Sequence, residues 1–218
     1  MFYKFSFVDS VKGFIVCFDG IDGSGKCTQS GLLQQRLAGE GIAARVHSYP
    51  DYSSLYGSIL GSFLAGKVQL SVDELFLLYL ADMVRDRSTV EKELSEGMVV
   101  IMDRYYFATI AYQTAGGFAY EKAKAIEERI GLPIPEITFY LDVDSETSVS
   151  RKTKEKMGIV DRFEADARFL ERVRVVYDRL FSEGYRSGKW VKIDGSQPPD
   201  AIADEVLGAV RELAVDRL

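Results

Sequence analysis

The chain has 218 residues, 47% of them hydrophobic and 28% charged, which is typical of a globular domain with its own hydrophobic core. Its formal net charge of −6 argues against a general DNA- or RNA-binding protein, because such proteins need a basic face to neutralise phosphates. Two cysteines are too few for a disulfide scaffold, and no apolar run approaches the length of a membrane span. We therefore expect a cytoplasmic protein that binds neither nucleic acid nor membranes.

Residues 1–12 show no signal-peptide cleavage site, and we expect them to form an N-terminal extension to a domain over residues 13–218. Strands are predicted at 14–18, 43–49, 98–102, 137–143 and 190–193. Helices are predicted from the glycine-rich turn to Gly39 or Gly41, around 56–63, from a capping box at Ser71 and Glu74 to about Gly97, around 169–180, and from about Pro199 onward. This alternation predicts βαβ units and therefore an α/β fold with a parallel five-stranded sheet.

A glycine-rich segment follows the first predicted strand and leads into a helix. It reads Gly20-Ile21-Asp22-Gly23-Ser24-Gly25-Lys26-Cys27-Thr28. Glycines there let backbone N–H groups surround phosphate oxygens, and the following helix directs its positive end at the same anion. Lys26 adds a cation for the β- and γ-phosphates, so the segment predicts an ATP-binding P-loop. Cys27 departs from the motif, because a thiol replaces the hydroxyl that normally binds Mg²⁺.

Asp103 and Arg104 close the third predicted strand. Ligands of open α/β sheets bind at the carboxyl ends of strands, where a carboxylate can hold a metal and an arginine can bind a phosphate bidentately. Alone, the pair is as consistent with a structural salt bridge. Beside a P-loop, it predicts a second phosphate site and therefore transfer between two phosphates rather than hydrolysis.

From Gly13 onward, the order and spacing of several short segments resemble the thymidylate kinase family of P-loop nucleoside monophosphate kinases. The segments are 18–26, Tyr49-Pro50, 76–82, Asp103-Arg104-Tyr105, Ala111-Tyr112-Gln113, Pro135 before 139–143, 161–164 and 193–196. The resemblance implies a three-layer P-loop kinase fold and a homodimer. It also implies phosphorylation of dTMP to dTDP by ATP with Mg²⁺, a step of dTTP biosynthesis.

The resemblance also implies roles for individual side chains. Asp22 would accept a hydrogen bond from the sugar 3′-hydroxyl, Tyr79 would stack on thymine, and Tyr105 would press on the sugar. Arg104 would hold the acceptor phosphate, and Asp103 would orient Mg²⁺ or the acceptor. The other substrate-binding positions are Tyr49, Pro50, Met83, Tyr112 and Gln113, and the ATP site combines Gly20, Asp22, Gly23, Ser24, Gly25, Lys26, Cys27 and Thr28 with Ser196 near the adenine.

A run of charges covers residues 151–156. Most such runs are solvated helix faces. Phosphoryl transfer, however, needs positive charge over the transferred group, and this P-loop offers only Lys26. The resemblance implies that the missing cation lies on a short lid, at about 151–163. We expect Arg151, or a neighbouring lysine, to act there in catalysis and ATP binding together with Arg162.

Two departures from the family pattern concern the acceptor. Met83 stands where the family has a base-reading arginine, and Arg85 and Gln113 are the candidate replacements. The loop directly after Pro50, residues 51–54, contains no arginine, whereas the family has one there near the acceptor phosphate. Two alternatives therefore stay open, a kinase for another pyrimidine monophosphate such as dUMP or dCMP, and a nucleotide-binding protein without catalysis.

Overall fold

The computed structural model describes residues 12–155 and 166–215, and in these segments five strands alternate with eight helices. The strands are β1 (Phe14–Asp19), β2 (Ala44–Ser48), β3 (Val99–Asp103), β4 (Ile137–Asp142) and β5 (Lys189–Asp194). The helices are α1 (Lys26–Gly39), α2 (Leu55–Leu64), α3 (Val72–Ser95), α4 (Tyr106–Ala115), α5 (Tyr120–Ile130), α6 (Ser145–Glu155), α7 (Ala167–Ser182) and α8 (Pro199–Val215). None of these helices is both long and apolar enough to cross a membrane.

The strands form one parallel sheet in the order β2-β3-β1-β4-β5. The central strand is β1, whose Val16 is in register with Ile101 of β3 and Ile137 of β4. All residues of β1 and β3 are buried, as expected for parallel strands covered on both faces, and this explains why they appear in the sequence as uninterrupted apolar runs. The predicted five-stranded parallel sheet is confirmed.

Helices cover both faces of the sheet, which confirms the three-layer architecture. On one face, Leu33 and Leu37 of α1 and Val206 of α8 pack against β1 and its neighbours. On the other face, α3, α4 and α7 bury a larger cluster that includes Phe76 and Tyr177. The sheet is therefore held between two apolar layers, and its carboxyl edge is left to loops that carry polar residues.

The helix α3 begins as the sequence predicts. The Ser71 hydroxyl accepts a hydrogen bond from the Glu74 amide at 3.2 Å, and the Glu74 carboxylate accepts one from the Ser71 amide at 2.7 Å. This reciprocal capping box satisfies two amides that a helix start leaves unpaired. The helix ends just before Gly97, which has a φ of 79°. Tyr79 and Met83 thereby lie one helical turn apart, which is the spacing that lets both face the same cleft.

Sequence patterns did not predict α4, α5 or α6. In α4 seven of the ten residues are buried, so the apolar and polar residues show no helical period. The helix α6 covers the first part of the expected lid, up to Glu155. The rest of the lid, including Arg162, lies outside the described residues.

Candidate active site

The P-loop connects β1 to α1 at the carboxyl edge of the sheet. Gly20, Gly23 and Gly25 have φ values of 142°, 70° and 101°, which side chains other than glycine rarely adopt. Glycine is also required by space at two of these positions. A Cβ atom on Gly20 would lie 2.5 Å from the Leu141 carbonyl oxygen, and one on Gly23 would lie 2.8 Å from that of Ser148. The loop is thus closely packed against the end of β4 and against α6.

The Lys26 ammonium group lies inside this loop. It donates hydrogen bonds to the carbonyl oxygens of Gly20 at 3.0 Å and Ile21 at 2.7 Å, and it lies 3.2 Å from the Ser24 hydroxyl. Burial, assisted by the nearby Arg104 guanidinium, lowers the pKa of Lys26 to about 7. The carboxylates of Asp22, Asp103 and Asp19 act in the opposite direction. An incoming phosphate would add negative charge beside the ammonium group and favour its protonated form.

The residues predicted to form a second phosphate site contact the P-loop. Arg104 has a φ of 67°, and its guanidinium group forms a salt bridge with the Asp22 carboxylate. The Tyr112 hydroxyl donates to the same carboxylate at 2.6 Å, and the Arg104 guanidinium lies 5.6 Å from the centre of the Tyr112 ring. Burial acts to raise the pKa of Asp22, but Arg104, Lys26 and Tyr112 together lower it below its ordinary value. Asp22 is therefore an ionised acceptor close to both cations.

Asp19, the last residue of β1, supports this arrangement. Its carboxylate accepts hydrogen bonds from the Tyr177 hydroxyl at 2.5 Å, the Gly20 amide at 2.9 Å and the Tyr105 amide at 3.2 Å. Burial raises the pKa of Asp19 despite these bonds. One buried side chain thus joins the start of the P-loop to the segment after β3. Sequence analysis assigned Asp19 no role, although its position at the end of β1 placed it beside the motif.

A cleft of about 450 Å³ opens beside the P-loop and Arg104, and we call it the acceptor cleft. Its lining includes Cys27 and Asp103, Lys152 of α6, and Tyr79 and Met83 of α3. The predicted substrate-binding residues Asp22, Tyr49, Pro50, Tyr79, Met83, Arg104, Tyr105, Tyr112 and Gln113 all line this cleft. The structure therefore brings together, in one cavity of nucleotide size, residues that range from Asp22 to Gln113 in the sequence.

The acceptor cleft also contains residues that sequence analysis missed. Ser48, Tyr52, Leu64, Ala108 and Thr109 line its wall. The first three lie on or beside β2 and α2 and carried no motif. Ala108 and Thr109 lie on α4, one turn before the matched Tyr112 and Gln113, so the i, i+4 spacing of a helix could have indicated Thr109 if α4 had been predicted.

Helix α6 holds the outer side of the P-loop. The Arg151 guanidinium donates to the carbonyl oxygens of Gly23 at 3.1 Å and Gly195 at 3.0 Å, while the Ser148 hydroxyl donates to the Asp22 carbonyl oxygen. The neighbouring Lys152 instead lines the acceptor cleft. The structure thus separates the two basic residues that the sequence left as alternatives, since Arg151 contacts the backbone next to Ser196 and Lys152 faces the predicted reaction centre.

The segment after Pro50 is held by carboxylates. Asp82, which is fully buried, accepts from the Asp51 amide at 2.8 Å and the Ser54 hydroxyl at 2.5 Å. Arg85 donates to the Asp51 carboxylate at 2.8 Å and the Asp86 carboxylate at 2.7 Å. These bonds hold the Arg85 guanidinium group, and Arg85 does not line the acceptor cleft. Of the two side chains that the sequence offered in place of the missing arginine, only Gln113 lines the cleft.

Two carboxylates line the acceptor cleft, those of Asp22 and Asp103, and that of Asp22 is paired with Arg104. No group of three or more histidine, cysteine, aspartate or glutamate side chains suited to a metal occurs in the described segments. This donor set fits Mg²⁺, which commonly binds through one or two carboxylates, water and substrate phosphates. The exposed Cys27 thiol adds a soft atom that Mg²⁺ does not prefer.

Comparisons with known proteins agree with this geometry. The family model described as "Thymidylate kinase" matches residues 18–206. The chain is 32% identical over 203 residues to the thymidylate kinase of Brachyspira hyodysenteriae, covering 93% of this chain and 95% of that protein. It is 32% identical over 197 residues to the thymidylate kinase of Leptospira borgpetersenii, covering 90% and 92%. A solved structure of thymidylate kinase from Candida albicans superposes over 93% of both chains with a TM-score of 0.76 at 23% identity, which shows a shared fold.

Proposed function

The chain belongs to the thymidylate kinase family, and from that membership we infer that it is an ATP-dependent kinase that phosphorylates dTMP. An oxygen of the dTMP phosphate forms a bond to the γ-phosphorus of ATP, the bond between that phosphorus and the β,γ-bridging oxygen breaks, and ADP leaves. The products are ADP and dTDP. None of the relatives favours the alternatives of another monophosphate kinase or a protein without catalysis.

One observation carries this assignment. The P-loop residues Asp22 and Cys27 line one cleft together with Arg104, at the end of β3, and Tyr79. The Lys26 ammonium group lies within the same loop, close to Arg104. We propose that Lys26 binds the β- and γ-phosphates of ATP and that Arg104 binds the phosphate of dTMP. Two phosphates held in this way are positioned for in-line transfer, and positioning with charge neutralisation supplies most of the catalysis in such reactions. Asp22 and Tyr112 would then bind the sugar.

We propose that Lys152 carries the positive charge that stabilises the transferred group. It lines the acceptor cleft together with Asp103 and Arg104, and its side chain extends past Gly23, with Cγ 3.5 Å from the place of a Cβ there. Its charge also contributes to lowering the pKa of Asp22. Arg151 would instead support ATP binding, because its guanidinium holds the backbone of Gly23 and Gly195. A role for Arg162 in ATP binding stays a prediction.

Mg²⁺ is the proposed cofactor. When bound, it would neutralise charge on the phosphates during transfer. Asp103 is the residue that would hold it, directly or through water, because its carboxylate lines the acceptor cleft. The aromatic and small side chains around the sugar and base would exclude water, which protects the γ-phosphate from hydrolysis.

A homodimer is also proposed, in the cytoplasm. Helices α2 and α3 pack together and present exposed apolar side chains, namely Leu55 and Ile59 on α2 and Leu77 and Val84 on α3. Leu77 and Val84 are seven residues apart and therefore lie on one side of α3. A second copy of the chain could cover this surface, because the two copies would bury the same apolar residues against each other. Sedimentation of the wild type and of Leu77→Glu would test the dimer.

The experiment that tests the function is release of ADP by the purified protein with ATP, Mg²⁺ and a panel of dTMP, dUMP and dCMP. We expect turnover with dTMP and none of comparable efficiency without an acceptor. The panel also tests the base site. Because Met83 cannot donate a hydrogen bond to the base, dTMP should be favoured over dCMP less strongly than in Met83→Arg, by roughly ten-fold to a hundred-fold. If the wild type already rejects dCMP and Met83→Arg changes nothing, another residue reads the base.

A further inference from the structure

A second cavity of about 270 Å³ adjoins the acceptor cleft, and we call it the side pocket. Its apolar wall is formed by Phe63 at the end of α2, by Leu70, and by Val72 and Leu75 at the start of α3. Its volume far exceeds the roughly 10–15 Å³ that one buried water requires. None of its lining residues carries a charge. The side pocket is therefore suited to an uncharged, mainly apolar group of several heavy atoms.

The side pocket and the acceptor cleft share three lining residues, Tyr79, Tyr112 and Gln113. Tyr79 and Gln113 are the two that are proposed to meet the base, whereas the Tyr112 hydroxyl also reaches the P-loop, where it donates to the Asp22 carboxylate. The side pocket thus adjoins the part of the acceptor cleft in which Tyr79 and Gln113 would meet the base. A substituent on the base would enter it past these shared side chains.

Two features of the boundary favour a ligand group over simple loose packing. Within the described part of the chain, the side-chain amide of Gln113 makes no hydrogen bond, although Gln113 is only 7% exposed and borders both cavities. Gly116 forms part of the wall and adds no side chain to the space beside Val72. The Gln113 amide is available to a polar atom of the base or its substituent.

We propose that the side pocket accepts a substituent on the pyrimidine ring, so that the enzyme phosphorylates pyrimidine deoxynucleoside monophosphates whose uncharged 5-substituent is larger than the methyl group of thymine. This inference rests on the proposed function, and it names a wider substrate class for the same site. The reaction is unchanged, since the transferred phosphate, the attacking oxygen and the leaving ADP are those of dTMP phosphorylation.

The test compares turnover of dTMP, 5-ethyl-dUMP, 5-propynyl-dUMP and 5-phenyl-dUMP by the wild type, by Val72→Phe, which fills the side pocket, and by Thr89→Phe. The last variant is a control on the same helix, because Thr89 is exposed and lines neither cavity. We expect the wild type to use the larger analogues with an efficiency within about ten-fold of dTMP. Val72→Phe should lower the efficiency for 5-phenyl-dUMP by roughly ten-fold or more and leave dTMP unchanged, and Thr89→Phe should change neither.

Thermal unfolding of both variants, with Gly116→Ala as a milder filling substitution, shows whether each is folded. A wild type that phosphorylates dTMP but rejects every larger analogue would overturn this inference and leave the proposed function intact. Equal losses for dTMP and 5-phenyl-dUMP in folded Val72→Phe and Gly116→Ala would also overturn it, because the pocket would then belong to the thymine site itself. A wild type inactive on dTMP and on all analogues would overturn both proposals.

Discussion

Two clusters of buried charge lie in different parts of this molecule, and they differ in what completes them. At the carboxyl edge of the sheet, Arg104 pairs with Asp22, and both line the acceptor cleft. The buried Lys26 lies close to both and donates to P-loop carbonyl oxygens. Away from that cleft, Glu127 of α5 is fully buried, with its carboxylate 3.1 Å from Arg186 Nε and accepting from the Tyr185 hydroxyl at 2.9 Å. The first cluster can exchange its internal bonds for ligand phosphates, whereas the second is closed.

In each cluster, burial shifts the pKa of one side chain toward neutral pH, but the consequences differ. It lowers the pKa of Lys26 to about 7 and raises the pKa of Glu127 to about 7, the latter against the effects of Arg186 and Tyr185. In the open cluster a phosphate can restore the cationic form of lysine, so the energetic cost of burial is recovered on binding. In the closed cluster no ligand can enter, so the same cost acts on folding stability. The comparison shows that a buried charge can act in function when a ligand can reach it, and that it affects only stability when no ligand can.

The largest effect is expected from Lys26→Ala. Removing the ammonium group that neutralises the β- and γ-phosphates should lower kcat by about 100- to 1000-fold. The free energy of unfolding should not fall, because Lys26 is a buried charge rather than a packing residue. Initial rates with dTMP and thermal unfolding check both parts, with Lys122→Ala on the surface as the control. A folded Lys26→Ala enzyme with normal kcat would contradict the P-loop assignment.

Lys152→Met tests whether a positive charge from α6 acts on the transferred group beside the open cluster. We expect kcat to fall by about 100-fold while KM for ATP stays nearly constant, because the charge acts on the transferred group. Arg151→Ala is the matched comparison, and it should mainly raise KM for ATP. The Lys152→Arg variant should recover part of kcat. If the two single variants exchange these behaviours, Arg151 is the transition-state cation and our assignment is reversed.

Arg104→Ala separates the two phosphate sites within the open cluster. The KM for dTMP should rise by about ten- to a hundred-fold, the worth of a hydrogen bond to a charged group. The affinity for ATP, measured by calorimetry without acceptor, should change little. Arg179→Ala, on an exposed arginine of α7, serves as the control for loss of a positive charge. Weakened ATP binding with an unchanged KM for dTMP would place Arg104 in the donor site.

Glu127→Gln tests the closed cluster through its pH dependence. Between its ordinary pKa of 4.5 and about 7, the folded wild type holds a proton that the unfolded chain has released. The free energy of unfolding should therefore fall relative to Glu127→Gln as pH rises across this window, by up to about 3 kcal/mol, and stay level above it. Urea titrations at pH 5, 6, 7 and 8 measure the difference, and kcat for dTMP should be unaffected. Parallel pH curves for the two proteins would show that Glu127 does not titrate in this range.

The smallest effect is expected from Cys27→Ser. A hydroxyl restores a hard ligand beside the phosphates, so activity with Mg²⁺ should be equal or up to a few-fold higher. Activity with Mn²⁺ in both proteins provides the control, because this softer ion tolerates the thiol better. A large loss of Mg²⁺-dependent activity in Cys27→Ser would give the thiol a role that the present assignment lacks.

The sequence by itself determined the sheet, the P-loop and the Asp103–Arg104 pair. These features depend on local rules, since strands buried on both faces are continuous apolar runs and a phosphate loop needs its glycines and lysine at fixed spacing. The parallel arrangement then places the ends of β1 and β3 side by side, which is why residues eighty positions apart could be assigned to one site.

Only the tertiary structure decided which charged side chains lie in that site. Arg85 is near Met83 in the sequence, yet Asp51 and Asp86 hold it outside the cleft. Arg151 and Lys152 are adjacent, and the direction of α6 alone separates their contacts. Glu127 occurs in a helix rich in glutamate and lysine, where every carboxylate has the same local signature. Whether a charge is solvated, paired or open to a ligand depends on segments distant in the chain, and local sequence patterns do not record that packing.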